Sequence, residues 1–150
     1  MGAGKIDLDE AVGFVVFQAH QAMRQAMFRV FRDEGVEVTP EQWVVMVRLW
    51  ARDGRSQTEL GRDTLRDKPT LSRMLDTMEE RGWLQRVASP DDLREKEVRL
   101  TPRGRALEQK LVPLARGLVK RIVAGIDAGT LETTFAALRR MTANVRTATP

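Results

Sequence analysis

The stretch that decides the fold is residues 56–105, which read SQTELGRDTLRDKPTLSRMLDTMEERGWLQRVASPDDLREKEVRLTPRGR. Ser56–Glu59 has the spacing of a capping box, in which a hydroxyl and a carboxylate three residues apart bind the first free amides of a helix. Asp67 followed by Pro69 indicates a second helix start, because aspartate is a good cap and proline suits the first turn. This stretch therefore predicts two short helices, the second of which ends at Gly82.

The apolar pattern then changes from helical spacing to the alternation that is typical of strands. Trp83–Val87 has the composition of a strand, and in Glu97–Leu100 the apolar residues alternate with charges. The polar segment Ser89–Arg94 between them has the composition of a turn. These segments predict a two-stranded hairpin with an exposed, charged tip.

Longer helices are predicted on both sides of this stretch. Thr39–Gln42 is another capping box, with a proline at the first helical position, and it opens the helix that precedes residue 56. Before it, apolar residues at steps of three and four predict a helix over about Leu8–Arg32. A last helical region begins at Thr101–Pro102, where Pro113 predicts a kink. Gly129–Thr130 predicts a break before the final helix.

The composition excludes several classes of protein and of site. The 150 residues suffice for one globular domain, and they contain no cysteine and a single histidine, His20. Disulfides, cysteine-bound zinc and a thiol nucleophile are therefore excluded. Because no pattern of residues suggests a catalytic or metal site, we expect a protein that is not an enzyme and has no cofactor.

The sequence also lacks the patterns of membrane spans and export signals. Its longest uncharged stretch, Ala11–Met23, is too short to span a bilayer. The first residues do not combine a basic region, an apolar run and a small-residue cleavage site, as a secretory signal does. We therefore expect a cytoplasmic location.

The order of the elements predicts a mainly α fold with a small two-stranded β wing. It is a single domain, residues 1–150, in which a winged helix–turn–helix core of about 39–105 is flanked by dimerisation helices of about 6–33 and 102–147. The second helix of such a core fits the DNA major groove, and the hairpin tip can reach the backbone or the minor groove. The flanking helices have long apolar faces that the core cannot cover, so we expect them to pair with a second copy in a two-fold dimer.

On these residues the chain resembles the MarR family of transcriptional regulators. The matching segments are Thr39–Trp43, Ser56–Gly61, Asp67–Leu75, Met78–Leu84, Asp92–Arg94 and Val98–Gly104. The resemblance implies a homodimer that binds double-stranded DNA at a pseudo-palindromic operator, commonly a repressor released by a small ligand, often an aromatic one. Leu93 departs from the family pattern, where an arginine or another polar residue is more usual, so we expect the wing to make fewer phosphate contacts.

Eight residues are the candidates for DNA contact. They are Gln57, Lys68, Pro69, Thr70, Ser72, Arg73, Asp92 and Arg94. By the resemblance Arg94 enters the minor groove, and an ion pair with Asp92 would orient it. Arg73 suits either a guanine edge or a phosphate. Thr70 suits either DNA or a backbone bond within the first turn of its helix.

The charge pattern leaves a second class of function open. Residues 62–105 hold 11 Lys or Arg and 9 Asp or Glu, so a DNA-binding surface here requires the acidic side chains to turn away from it. The net charge of +4 and the pI of about 10.1 permit a nucleic-acid partner without requiring one. The alternative is a winged-helix module that binds protein or RNA and has no operator.

The resemblance implies a ligand pocket in the region of the first two helices and the dimer helices. Its candidate residues are Phe17, His20, Met23, Trp43, Met46 and Trp50. Ligand pockets are mostly apolar with a few polar groups, and His20 would be such a group. For each residue taken individually the favoured alternative is ordinary core packing, with His20 as a hydrogen-bonded or exposed histidine that binds no ligand.

Overall fold

The computed structural model describes residue 7 and residues 9–147. Within them the chain forms six helices and three strands, which confirms a mainly α fold with a winged helix–turn–helix. In chain order these are α1 (Val12–Asp33), α2 (Pro40–Ala51), β1 (Arg55–Ser56), α3 (Gln57–Thr64), α4 (Lys68–Glu80), β2 (Leu84–Ala88), β3 (Lys96–Leu100), α5 (Pro102–Ile122) and α6 (Ala128–Thr147). Residues 6 and 8 of the predicted N-terminal helical region lie outside the described residues.

Local caps set the helix starts of the winged core. The Ser56 hydroxyl accepts a hydrogen bond from the Glu59 amide at 3.1 Å, and the Glu59 carboxylate accepts one from the Ser56 amide at 3.0 Å. The same reciprocal pairing opens α2. At the start of α4, Asp67 Oδ1 accepts from the Thr70 amide at 2.7 Å. These three predicted helix starts are therefore confirmed.

The sheet is antiparallel, with the strand order β1–β3–β2. Strands β2 and β3 pair in register from Leu84 opposite Leu100 to Ala88 opposite Lys96, which confirms the predicted hairpin. The two residues of β1 add to the other edge of β3. The sequence did not predict this third strand, because two residues are too few to show an alternating pattern.

One apolar core joins the helices of the winged unit to its sheet. Its fully or almost fully buried side chains include Leu60, Leu71, Leu75, Met78, Leu84 and Val98. The three on α4 recur at steps of four and three, so they share one face of that helix. Burying this face fixes α4 against the core and leaves its opposite face exposed.

The first turn of α5 lies unusually close to the segment that leads into β2. A Cβ atom built on Gly104 would lie 1.9 Å from the carbonyl oxygen of Trp83. The indole nitrogen of Trp50 donates a hydrogen bond to the carbonyl oxygen of Gly104 at 3.0 Å. This packing therefore requires a residue without a side chain at position 104.

The predicted break at Gly129–Thr130 is wrong. Helix α6 already begins at Ala128, and Asp127 accepts hydrogen bonds from the Thr130 amide at 2.9 Å and from its hydroxyl at 2.6 Å. Gly129 and Thr130 therefore lie in a capped first turn. The break comes earlier, where Gly125 has a φ of +79° that favours glycine.

The chain divides into two compact units, residues 1–116 and 117–150. The first contains α1 to α4, the sheet and most of α5, and the second contains the end of α5 and α6. Pro113 lies inside α5 without ending it. None of the described side chains of α6 is buried.

Candidate nucleic-acid interface

The first two turns of α4 present polar side chains away from the core. Leu71 and Leu75 of this helix are buried. Of the five predicted contacts on α4, three are exposed, namely Lys68, Pro69 and Arg73. The other two, Thr70 and Ser72, are half-buried. The exposed residues lie at the N-terminal end of the helix, which is the end that contacts base edges when such a helix enters the major groove.

Asp67 is held in its ionised form as the cap of α4. Hydrogen bonds from the Thr70 hydroxyl and amide lower its pKa below the ordinary aspartate value, and the positive charges of Arg73 and Arg66 act in the same direction. A negative charge at this position also suits the positive end of the helix dipole. The Thr70 hydroxyl therefore bonds the Asp67 carboxylate and not the backbone of the first turn, and its contact with DNA stays a prediction.

A groove of about 590 Å³ runs between the start of α3, the start of α4 and the wing. Its lining consists of Gln57, Thr58, Lys68, Ser72, Arg86, Asp92, Arg94, Glu95 and Lys96. Five of the eight predicted DNA-contact residues are thus brought to one surface by three separate segments. The other three, Pro69, Thr70 and Arg73, belong to the first two turns of α4 but are not among the lining residues.

The wing tip is a folded turn with a buried hydroxyl at its base. Ser89 is buried, and its hydroxyl accepts hydrogen bonds from the amides of Asp91 and Asp92 at 3.3 and 3.4 Å. Asp92 Oδ1 in turn accepts from the backbone amide of Arg94 at 2.9 Å. Leu93 is 89% exposed at this tip.

The predicted ion pair between Asp92 and Arg94 is not formed. Among the described residues the Asp92 carboxylate bonds the Arg94 backbone, and the Arg94 guanidinium has no acidic partner. In a tight turn, an aspartate side chain readily accepts a hydrogen bond from the backbone amide two residues later. Asp92 makes this local bond to the Arg94 amide, and its carboxylate does not reach the Arg94 guanidinium. Asp92 therefore shapes the turn, and the Arg94 side chain is left exposed for another partner.

A cluster around Arg86 fastens β2 to α4, and the sequence did not predict it. The guanidinium of Arg86 donates to Glu79 Oε2 at 2.8 and 3.2 Å and also to Asp76, while its backbone amide donates to Glu79 Oε1 at 3.0 Å. It also reaches the Ser72 hydroxyl at 3.4 Å. Ser72, a predicted DNA contact, is therefore already engaged on one side.

The Arg86 cluster also neutralises two acids of α4, the recognition helix of the winged helix–turn–helix. Burial alone would lower the pKa of Arg86, but its hydrogen bonds to Glu79 and Asp76 outweigh burial and raise it. The backbone amide and then the side chain of Arg86 lower the pKa of Glu79. The sequence holds one signal for this cluster, the alternation of inward and outward residues along the hairpin. Arg86 pairs with the buried Val98 and therefore lies on the inward face, where a charged side chain needs a partner.

The six predicted pocket residues fall into two groups. Met46 is fully buried, and Trp43 and Trp50 pack against the same core, with their ring centroids 5.6 Å apart. Phe17, His20 and Met23 are exposed on α1. Core packing accounts for the first three, and a pocket that includes all six stays a prediction.

Residue 7 and residues 9–147 contain neither a cluster of metal-ligating side chains nor a helix that could cross a membrane. These residues contain no group of three or more His, Asp or Glu side chains placed to hold a metal ion. None of their helices combines the length and apolar character needed to cross a membrane.

Comparison with protein families gives a match over the winged core. The model of the MarR family matches residues 38–96, which run from the start of α2 to the start of β3. The HTH-type transcriptional regulator TtmR of Methylorubrum extorquens (strain PA1) is 31% identical over 104 residues. The match covers 69% of this chain and 52% of TtmR, so the chain spans about half the length of this relative.

Two solved structures are similar over nearly the whole chain. The transcriptional regulator MOSR of M. tuberculosis, in complex with DNA, has a TM-score of 0.75 and 28% identity, and the match covers 91% of this chain and 99% of MOSR. BpsR of Bordetella bronchiseptica, whose DNA binding is regulated by 6-hydroxynicotinic acid, has a TM-score of 0.82 and 26% identity. That match covers 93% of this chain and 98% of BpsR.

Proposed function

The chain belongs to the MarR family, and we propose that it is a cytoplasmic, sequence-specific regulator of transcription that binds double-stranded DNA. It acts as a homodimeric repressor, is released from its operator by a small ligand, and has no catalytic activity. The similarity to MOSR, solved with DNA, and to BpsR, whose DNA binding responds to a small molecule, supports this proposal.

One observation carries the DNA-binding part of the proposal. Lys68, Arg94 and Lys96, which come from the recognition helix and the wing, face one groove. The two acids nearest to it on α4, Asp76 and Glu79, are paired with Arg86. The lining also holds two acids, Asp92 and Glu95, so the three cations exceed the acids of the groove by one. Because Asp76 and Glu79 are neutralised by Arg86, this surface stays net positive, as the nearly balanced charge count of the segment requires for DNA binding.

The homodimer is supported by exposed apolar side chains in both units. In the first unit, Val12 and Phe17 of α1 are each 55% exposed. In the second unit, α6 exposes Phe135, Leu138 and Met141. A second copy is the partner that would cover such faces, and a two-fold dimer would place two copies of α4 in successive major grooves about 34–36 Å apart.

A second candidate function is a winged-helix module that binds a protein or RNA. The side chain of Leu93, 89% exposed at the wing tip, favours this candidate, because an apolar tip offers nothing to a phosphate. Such a module would show no preference for one DNA sequence and no steep salt dependence with duplex DNA.

Selection from a pool of random duplexes tests the proposed function. The purified chain is expected to enrich one motif with two inverted half-sites, centred about one helical turn apart. Enrichment of no motif at low salt would contradict a sequence-specific regulator. A single, unrepeated half-site would contradict the homodimer but not DNA binding.

A further inference from the structure

The tip of the wing is a β-turn with Leu93 and Arg94 at its two corner positions. The Glu95 amide donates a hydrogen bond to the carbonyl oxygen of Asp92 at 3.1 Å, which closes the turn. Below it, the Ser89 amide donates to the carbonyl oxygen of Glu95 at 3.1 Å and joins the two sides of the hairpin. Leu93 and Arg94 are therefore the two residues at which the hairpin reverses direction.

Side chains hold this turn in one shape. Asp92 Oδ1 accepts a hydrogen bond from the Arg94 amide at 2.9 Å. The buried Ser89 hydroxyl accepts from the amides of Asp91 and Asp92 at 3.3 and 3.4 Å. Because the backbone of the turn is already ordered, a corner side chain can bind a partner at a low cost in conformational entropy.

Leu93 is an unusual residue for such a corner. Turns are dominated by Gly, Pro, Asn, Asp and Ser, each of which favours the turn conformation. The Leu93 side chain is 89% exposed, so it contributes almost nothing to the apolar core. Neither the turn nor the core therefore requires a leucine at this position, and its apolar surface is available to a binding partner.

The surroundings of Leu93 favour DNA as that partner. The groove beside it is lined by Lys68 of α4 and by Arg94 and Lys96 of the wing. Arg94 occupies the other corner of the same turn, and its guanidinium has no acidic partner among the described residues. Cations that bind the phosphates of a duplex also bring the neighbouring corner against it. An apolar protein surface would instead bury these cations without a counter-charge, which is unfavourable.

A leucine at a duplex can act only through its apolar surface. It has no hydrogen-bonding group with which to read a base edge or bind a phosphate. Apolar side chains that enter the minor groove insert between two base pairs, unstack them in part and kink the duplex by about 20–90°. We propose that Leu93 enters the minor groove beside Arg94 as such a wedge, and that it selects a deformable base step next to the base pairs that α4 contacts. This proposal rests on the proposed function, since the same surface binds the DNA.

The energy of unstacking determines which base steps the wedge selects. The pyrimidine–purine steps TA and CA/TG are easily kinked or unstacked, whereas A-tracts are stiff. A wing that inserted only an arginine would favour A-tracts, because their narrow minor groove attracts cations. A wedge at Leu93 predicts the opposite preference, with TA or CA/TG steps beside the half-sites and A-tracts disfavoured there.

Parallel selections from a pool of random duplexes test this preference. The wild-type chain and Leu93→Ala should enrich the same bases where α4 contacts the half-sites. Only the wild-type chain should also enrich a TA or CA/TG step beside them. Leu93→Met keeps an apolar side chain of similar volume and should retain this step. Leu93→Gln has a similar length but a polar end, and it should lose the step.

Affinity and DNA shape are measured on a duplex that carries the selected step. Leu93→Ala should weaken binding several-fold in fluorescence anisotropy without changing the log–log salt slope, because leucine neutralises no phosphate. Arg94→Ala is the contrasting variant, since it should make the slope less steep. Energy transfer between dyes at the two ends of the duplex should report a larger bend with the wild-type chain than with Leu93→Ala. Urea unfolding of Leu93→Ala should match the wild type, because this side chain is exposed.

The wedge and the proposed function fail in different ways. A wild-type chain that binds no duplex contradicts the proposed function and the wedge together. If Leu93→Ala reproduces the wild-type motif, affinity and bend, the wedge alone is overturned, and a protein becomes the partner of this leucine. A loss of affinity with the same flanking step and the same bend would overturn the wedge as well. So would a Leu93→Ala variant with a less steep salt slope, because that change reports lost phosphate contacts.

Discussion

Gly104 illustrates a residue whose importance comes from the atoms it lacks. Its missing side chain leaves room for the carbonyl oxygen of Trp83, to which a Cβ atom would be only 1.9 Å away. A backbone oxygen cannot move aside as a flexible side chain can, so the first turn of α5 would have to shift. The Trp50 hydrogen bond to the Gly104 carbonyl would be displaced with it.

We therefore expect Gly104→Ala to lower the free energy of unfolding by about 1–3 kcal/mol or more. Urea unfolding followed by circular dichroism measures this change. The matched control is Gly117→Ala, also within α5, where a Cβ atom would meet nothing within 4 Å. The control should be neutral or stabilising by about 1 kcal/mol, because alanine is the better helix former. Equal effects of the two changes would refute the steric account.

At the scale of elements, the Arg86 cluster holds the wing against the recognition helix. Removing its guanidinium in Arg86→Ala leaves Glu79 and Asp76 without their cation and removes the side-chain bonds between β2 and α4, while the backbone amide at position 86 can still bond Glu79. We expect a loss of about 1–3 kcal/mol in the free energy of unfolding at neutral pH, and weaker DNA binding. Arg99→Ala is the control: it removes an exposed pair with Glu97 on the neighbouring strand, and such pairs contribute about 1 kcal/mol or less.

The same cluster predicts a pH dependence. The pKa of Glu79 in the folded chain lies below its ordinary value of 4.5, because first the backbone amide and then the guanidinium of Arg86 donate hydrogen bonds to its carboxylate, of which only the guanidinium is lost in Arg86→Ala. Its contribution to stability is therefore present above pH 4.5 and is lost as the pH falls through the lowered value. Urea unfolding in acid should show the difference between wild type and Arg86→Ala shrinking as the pH falls below 4.5. A constant difference across this range would contradict the assignment.

Elements whose signals are local could be predicted from the sequence. The Ser56–Glu59 box and the Asp67 cap depend on residues three apart, and both form as expected. The break at Gly129–Thr130 was misplaced because the Asp127 cap turns those residues into a helix start. The Arg86 cluster was missed because it joins residues 7 to 14 positions apart on two different elements. The pairing of Arg86 with the acids of α4 depends on how the hairpin packs against α4, and the sequence pattern does not show this.

At the scale of the whole molecule, the exposed apolar face of α6 is the feature that the proposed dimer explains. Phe135 is 49% exposed on this face. Phe135→Asp would place a charge in the proposed interface, where it would be buried without a partner, so we expect the dimer to dissociate. Analytical ultracentrifugation measures the resulting mass. Ala136→Asp adds the same charge at the next position, off the apolar stripe, and should remain dimeric. A monomeric wild-type chain, or a dimeric Phe135→Asp variant, would contradict this interface.

The most direct test of the central claim is the salt dependence of DNA binding, measured by fluorescence anisotropy with the selected duplex and a scrambled one. We expect the wild-type chain to bind the selected duplex more tightly than the scrambled one, with an affinity that falls steeply as the salt concentration rises. In Arg94→Ala the log–log slope should be less steep by about 1.8, because each of the two protomers loses one contact that contributes about 0.9, while Arg139→Ala on α6 should keep the wild-type slope. Equal binding to both duplexes, or an unchanged slope in Arg94→Ala, would contradict the assignment of the groove and wing to DNA.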